Sequence, residues 1–317
     1  MDNLARTVYN ESQRARNGRS GDHGCRALGG VAISLRTVLS YLWKVPLCGL
    51  VYVLGTLVGS ILAGMIGMQM PAIPEGTEPG TLMLFQLLAS PLLALALAFL
   101  SRGVQGRFVC RWLILSSLVW LAYGVNTVLE AAIFTTYGGA SPFTVMIVLF
   151  GSLACAALVA LLFPPQDGAR GFVISWRAFL GGRSGWQWAW RLAVAAVAFM
   201  PIYLFFGQMV VPFTYDYYLQ QMAGLTAPGW GQILPVLFLR SLLFLAASLP
   251  VLVTWRRSRL RLVLALGFAM FVLVGGMGLV GGYWLPLKVR LFHGVEIMVD
   301  SLVYAWVLVL LLVKKQE

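Results

Sequence analysis

The residues able to do chemistry in this chain are few, and they stand inside long apolar segments where ionisable groups are costly. His293, Glu296 and Asp300 are spaced i, i+3, i+7, so a helix carries all three on one face, and Tyr304 extends that stripe. Asn126 and Glu130 are four residues apart and share a face of another helix. Arg240 is the one cation in the middle of an apolar run, and Gln86 and Gln208 add uncharged polar groups to two further runs. An arginine left unpaired against lipid is heavily penalised, so Arg240 is expected to pair with Glu130, Asp300 or Glu296. Two carboxylates then remain, to be balanced by a protonated His293 or by a proton held between acids.

Several chemistries are excluded. The chain has only two histidines, and His23 lies in the N-terminal tail, so no pair of histidines is available inside the membrane to ligate a haem. One histidine with scattered carboxylates is a weak metal-ligand set, so neither a metal nor an organic cofactor is expected. No G-x-x-x-x-G-K-[ST], G-x-S-x-G or H-E-x-x-H motif occurs. His293-Gly294-Val295-Glu296 with Asp300 could serve as a general acid/base arrangement, but it belongs to no known signature.

These residues must be positioned by membrane-spanning helices. The 317 residues are 60% hydrophobic and 11% charged, whereas soluble domains carry about 25% charged residues. Eight apolar runs, at about 45–69, 81–100, 112–136, 143–163, 192–212, 232–254, 262–284 and 290–313, are each long enough to cross about 30 Å of hydrocarbon. The fold class is therefore all-α, a polytopic bundle of eight transmembrane helices. Counting 1.5 Å per residue from the basic residues that bound each run puts Asn126, Glu130, Arg240, Gln86, Gln208, Asp300, Glu296 and His293 about 21 to 31 Å away, in one layer.

The net charge of +12 is a matter of topology. One set of loops carries Lys44, Arg102, Arg107, Arg111, Arg183, Arg191, Arg256, Arg257, Lys314 and Lys315; the other carries Glu75, Glu78 and Asp216, with only Lys288 and Arg290 as cations. By the positive-inside rule the first set and both termini are cytoplasmic, the membrane is the plasma (inner) membrane, and the polar layer lies in its outer third. The expected partners are the bilayer, anionic lipid at the cytoplasmic face and a small-molecule substrate; nucleic acid has no domain to bind. Residues 1–28 read as a disordered cytoplasmic tail without a cleavable signal. The four cysteines form no C-x-x-C pair and are not expected to be bridged.

The two halves share a pattern. Ile33-Ser34-Leu35-Arg36 before the first span recurs as Ile174-Ser175-Trp176-Arg177 before the fifth, and Arg111 before the third matches Arg261 before the seventh. This predicts a parallel internal repeat of four plus four spans, 29–163 and 164–317, each led by an interfacial amphipathic helix. In the second lead-in, Phe172, Trp176 and Phe179 share a face, and Trp186, Trp188 and Trp190 come next beside Arg183 and Arg191. Glycines at 55, 59 and 67 in span one, and 278 and 282 in span seven, predict close packing. The aromatic segment 213–231 reads as an interfacial belt. Together these features favour a transporter- or permease-like protein with an outward-facing polar site. The alternatives are a membrane enzyme acting on lipid-linked substrate at the outer leaflet, with His293 and Glu296 as acid and base, or a sensor or assembly subunit.

Overall fold

A computed structural model describes residues 35–72, 77–136, 141–165 and 171–314. The predicted tail, Ile33, Ser34, Glu75 and Lys315 lie outside the described residues. The chain divides into Met1–Ser40 and Tyr41–Glu317. The described residues of the first unit, 35–40, are the opening residues of a helix; the cavity described below belongs to the second.

The regular elements among the described residues are helices, apart from isolated β-bridges such as that between Val104 and Trp255. The helices are α1 (Leu35–Met65), α2 (Pro79–Ser101), α3 (Phe108–Phe134), α4 (Pro142–Leu162), α5 (Phe172–Leu180), α6 (Gly185–Val197), α7 (Phe199–Leu219), α8 (Trp230–Thr254), α9 (Arg259–Gly281) and α10 (Leu287–Leu312). Eight spans among them are long and apolar enough to cross a membrane, α6 and α7 forming one span of 35 residues. Their number and order are those expected from the sequence.

Local chemistry sets the boundaries. Pro79 and Pro142 open α2 and α4 at positions where the missing N–H costs nothing. Ser184 caps α6 through a reciprocal box with Gln187, and the Ser258 hydroxyl accepts from Arg261 N–H at the start of α9. The break between α6 and α7 at Ala198 falls three residues before Pro201, which can donate no bond to Val197 and crowds its carbonyl. Span five therefore begins at Gly185, earlier than the apolar run implies. Trp186, Trp188 and Trp190 belong to the first turns of α6. Ahead of it, in α5, Phe172, Trp176 and Phe179 stack in succession.

At one end of the bundle, basic side chains cap the C-termini of α4 and α10. The last carbonyls of a helix lack intrahelical partners and carry partial negative charge, so they attract cations. Arg111 is 4% exposed and donates Nη2 to Phe163 O and to Ser101 Oγ, both at 2.7 Å. Lys44 Nζ donates to Leu162 O at 3.3 Å. In the second half Arg259 reaches Val309 O and Val313 O, Arg191 reaches Leu311 O and Arg183 reaches Leu312 O. Gln105 N–H donates to Thr254 O and Arg256 N–H to Gly103 O, joining the loops before α3 and α9.

Packing depends on small residues. A Cβ on Gly55 would stand 2.7 Å from Phe150 O, and one on Gly59 would stand 2.9 Å from Ile147 Cα, so α1 lies against α4. The α9–α10 seam is made differently from expectation. Gly278 faces open space, while Gly267 and Gly275 of α9 and Gly294 of α10 admit Leu302, Ile297 and Leu279. Both α3 and α9 are interrupted by a wider turn of π-helix, at Trp120–Val125 and Val272–Gly276, and these turns meet in the centre of the bundle.

Gly55→Ala is expected to lower the thermal unfolding temperature in detergent, overpacking costing about 1–3 kcal/mol. Gly64→Ala, facing open space on the same helix, should leave it unchanged or raise it slightly.

Candidate functional site

Arg240 is the centre of the polar layer. It sits midway along α8 and is 1% exposed. One Nη forms an ion pair with Glu130 of α3, and Nε donates to Asn126 Oδ1 at 2.8 Å. The guanidinium carbon lies 5.3 Å from the ring centroids of Phe199 and Tyr203 and 5.6 Å from that of Phe244. Aromatic faces attract a cation more strongly once water is removed, so the three rings stabilise the charge where lipid would not. The expected pairing with an acid is thus made with Glu130, and the i, i+4 spacing on α3 lets both its polar groups address one guanidinium. The other Nη of Arg240 has no hydrogen-bond partner among the described residues.

The α10 stripe faces the same place. His293 Nδ1 stands 2.7 Å from Glu296 Oε2, and His293 Nε2 stands 3.0 Å from Tyr218 OH at the end of α7. With Nδ1 protonated the ring donates to Glu296 and accepts from Tyr218, giving a Tyr–His–Glu chain leading inward. Asp300, one turn further along, is 2% exposed, and neither carboxylate oxygen has a hydrogen-bond partner among the described residues. It interacts electrostatically with Glu296 and Arg240.

These groups line a cavity of about 310 Å³, bounded by α3, α7, α8, α9 and α10. A second lobe of about 340 Å³ adjoins it and shares Phe134, Tyr203, Tyr218, His293 and Glu296 with the first. The second lobe is walled by Leu204, Gly207, Gln208 and Val211 of α7 and by Ala227, Pro228 and Trp230 from the connection to α8. Gly207 matters here. A methyl at that position would lie 3.1 Å from Glu296 Oε1, so glycine is what lets the carboxylate approach α7.

Towards the basic end the cavity is floored by aromatic rings. Phe199 meets Phe244 edge-on at 4.8 Å and Tyr304 at 5.6 Å. Tyr304 lies behind Phe199, and its hydroxyl donates to Ser241 O at 3.4 Å. Ser241 Oγ in turn accepts from Phe199 N–H at the break between α6 and α7.

Of the residues singled out from the sequence, Glu130, Arg240, His293, Glu296 and Asp300 line the first cavity, and Asn126 supports it through Arg240. Gln208 lines the second lobe. Gln86 lies elsewhere, half-buried on α2 beside Tyr52 and Tyr123 in the other half of the bundle. Depth placed it in the same layer, but depth says nothing about azimuth. Tyr218 was not singled out for chemistry, because it falls in a segment read as an aromatic belt. That segment helps wall the second lobe, and it is held to the end of α3 by Thr136 N–H to Gly224 O and Thr226 N–H to Phe134 O. Phe199 and Tyr203, four residues apart on one face of span five, were a legible signal of a shared environment.

This is a multi-pass integral membrane protein with a polar cavity inside an apolar bundle. Compared with known protein families, curated proteins and solved structures, the chain matches none.

Arg240→Met should destabilise the protein by about 2–4 kcal/mol, because Glu130 loses its cation in a poorly solvated place. Adding Glu130→Gln should recover part of that loss. Thermal unfolding of the two single variants and the double variant checks the coupling.

Proposed function

We propose that the protein binds a small polar solute in the Arg240–Asp300 cavity and passes it across the membrane as a permease. One observation carries this reading: Arg240 and Asp300, whose buried Nη and carboxylate oxygens have no hydrogen-bond partner among the described residues, line with Glu130, His293 and Glu296 a cavity large enough for a small molecule. Buried polar groups are normally hydrogen-bonded, and leaving one unsatisfied costs free energy, so such groups gathered around one cavity support a ligand there. Ionisable residues within spans commonly mark substrate or ion pathways.

The orientation belongs to the same proposal. The end where Lys44, Arg111, Arg183, Arg191 and Arg259 gather faces the cytoplasm with both termini, and the cavity is accessible from the outer face of the plasma membrane. Support comes from the positive-inside rule and from the aromatic floor on the basic side. The two halves, 29–163 and 164–317, are read as a duplicated four-span unit. In each, a cation near the start of the first span and another near the start of the third cap the end of the fourth. In each, the third span carries the π-turn, and α2 packs on α9 as α8 packs on α3. Parallel repeats related by an axis along the membrane normal are a recurrent transporter design, with sites at the repeat interface. The lead-in α5 and the basic end are read as contacts for anionic headgroups.

A second reading has an observation of its own. The Tyr218–His293–Glu296 chain has the connectivity of an acid/base relay, and the apolar wall of the second lobe suits an amphiphilic substrate at the outer leaflet.

Reconstituted flux of the protein's solute should fall at least tenfold in Arg240→Ala and in Glu130→Gln. Flux unchanged in both variants removes this cavity from the pathway. If the protein is instead an enzyme, His293→Ala should abolish turnover while solute binding persists. For the orientation, single cysteines replacing exposed Glu78 or Asp216, in a background lacking native cysteines, should react with an impermeant maleimide on intact cells. A cysteine at Arg107 should react only after permeabilisation, and the reverse pattern overturns the topology.

A further inference from the structure

Resting on the reading of this cavity as a solute site, we infer that its ligand is a small organic cation, an ammonium group seated at Asp300 and Glu296 with an apolar body against the aromatic walls. The charges decide the sign. Glu130, Glu296 and Asp300 line the cavity together with one guanidinium and one imidazole. If all three carboxylates are ionised, the site keeps an excess negative charge even with His293 protonated. Arg240 keeps one Nη without a hydrogen-bond partner among the described residues, but its charge is already matched by Glu130 and covered by three aromatic rings, and an anion would meet three carboxylates on entering.

Asp300 is where the excess is placed. The groups facing it are Glu296 and His293 of its own helix, Arg240 of α8, Glu130 of α3 and Tyr203 of α7; α9 contributes the apolar Val274. None donates a hydrogen bond to its carboxylate. A carboxylate so placed is costly in a poorly solvated interior unless a cation or a proton joins it. A metal ion is poorly served, since no three His, Cys, Asp or Glu side chains converge as a ligand set among the described residues. The walls supply what an organic cation needs. Tyr203, Phe134 and Trp284 present ring surface to the first lobe, and Tyr215 and Trp230 do so in the second. Aromatic faces combined with carboxylates are the recurrent means of holding ammonium groups. The volumes of about 310 and 340 Å³ set the scale at a compact molecule.

The test is equilibrium binding to the purified full-length protein, monitored by tryptophan fluorescence and by calorimetry. Three probes of similar shape and different charge are compared: benzylammonium, benzyl alcohol and benzoate. Benzylammonium should saturate the protein and bind at least tenfold more tightly than the other two. Asp300→Asn, which keeps the shape and removes the charge, should weaken it at least tenfold, and Glu296→Gln should weaken it less. Because Asp300→Asn relieves an unpaired buried charge, its unfolding temperature should match or exceed that of the wild type, separating lost binding from lost fold. Benzoate binding as tightly as benzylammonium, or benzylammonium binding unaltered by Asp300→Asn, overturns the cation. If benzoate binding is then lost in Arg240→Ala, the solute-site reading stands with an anionic ligand. Failure of all three probes to saturate overturns the cation inference; if flux is also unchanged in Arg240→Ala and Glu130→Gln, the site reading falls with it.

Discussion

A guanidinium buried in the middle of a membrane helix organises this protein. Arg240 cannot shed its charge, and at 1% exposure it has almost no water to share it with. Its surroundings are what that constraint requires: a carboxylate and an amide oxygen from one face of α3, and rings from α7 and α8 over the guanidinium. Breaking a buried pair costs more than the pair contributes, so the arrangement is an all-or-none feature of the bundle. It fixes the rotation of α3 and α8 about their axes, and it draws α7 against them through Phe199 and Tyr203. The cavity is the space left between this group and α10, whose own polar stripe faces it.

The frame holding that centre is built from a different interaction. Lys44, Arg111, Arg183, Arg191 and Arg259 each reach the final carbonyls of α4 or α10. In a membrane, backbone groups that secondary structure leaves open must be satisfied by protein or meet water at the surface. These caps pin the basic ends of α4 and α10, while at the opposite end α3 is tied to the α7–α8 connection by backbone hydrogen bonds at Thr136, Gly224 and Thr226. The π-turns of α3 and α9 lie between these regimes. A turn of π-helix widens a helix locally and is frequent at functional sites. In α3 it immediately precedes Asn126 and so sets the angle at which the polar face meets Arg240.

Chemistry is unevenly distributed over this frame. The second half and α3 carry the charges, whereas Gln86 on α2 sits among Tyr52 and Tyr123 with no ionised group at the corresponding place. If the halves are copies, packing and capping were retained in both while polar function was concentrated in one. The glycines obey the same logic: Gly55 and Gly59 serve packing of α1 on α4, whereas Gly207 brings a backbone close to the Glu296 carboxylate.

Much of this was legible in the chain itself. Eight apolar runs had to be spanning helices, because length and the absence of charge leave no other way to satisfy the backbone in hydrocarbon. The face shared by His293, Glu296 and Asp300 and that shared by Asn126 and Glu130 came from helical periodicity alone, as did the need of Arg240 for an acid from the cost of a bare charge in lipid. What the sequence could not supply was rotation and neighbourhood. Depth along a helix can be counted in residues, but the direction a face points depends on which helices touch. That choice, made by tertiary packing, brought Glu130 rather than Glu296 to Arg240 and left Asp300 without a hydrogen-bond partner among the described residues. It also packed Tyr304 against Phe199, joined Tyr218 to His293 across 75 positions of sequence and set Gln86 apart. Periodicity is a property of one helix; convergence is a property of several, and only their packing decided it.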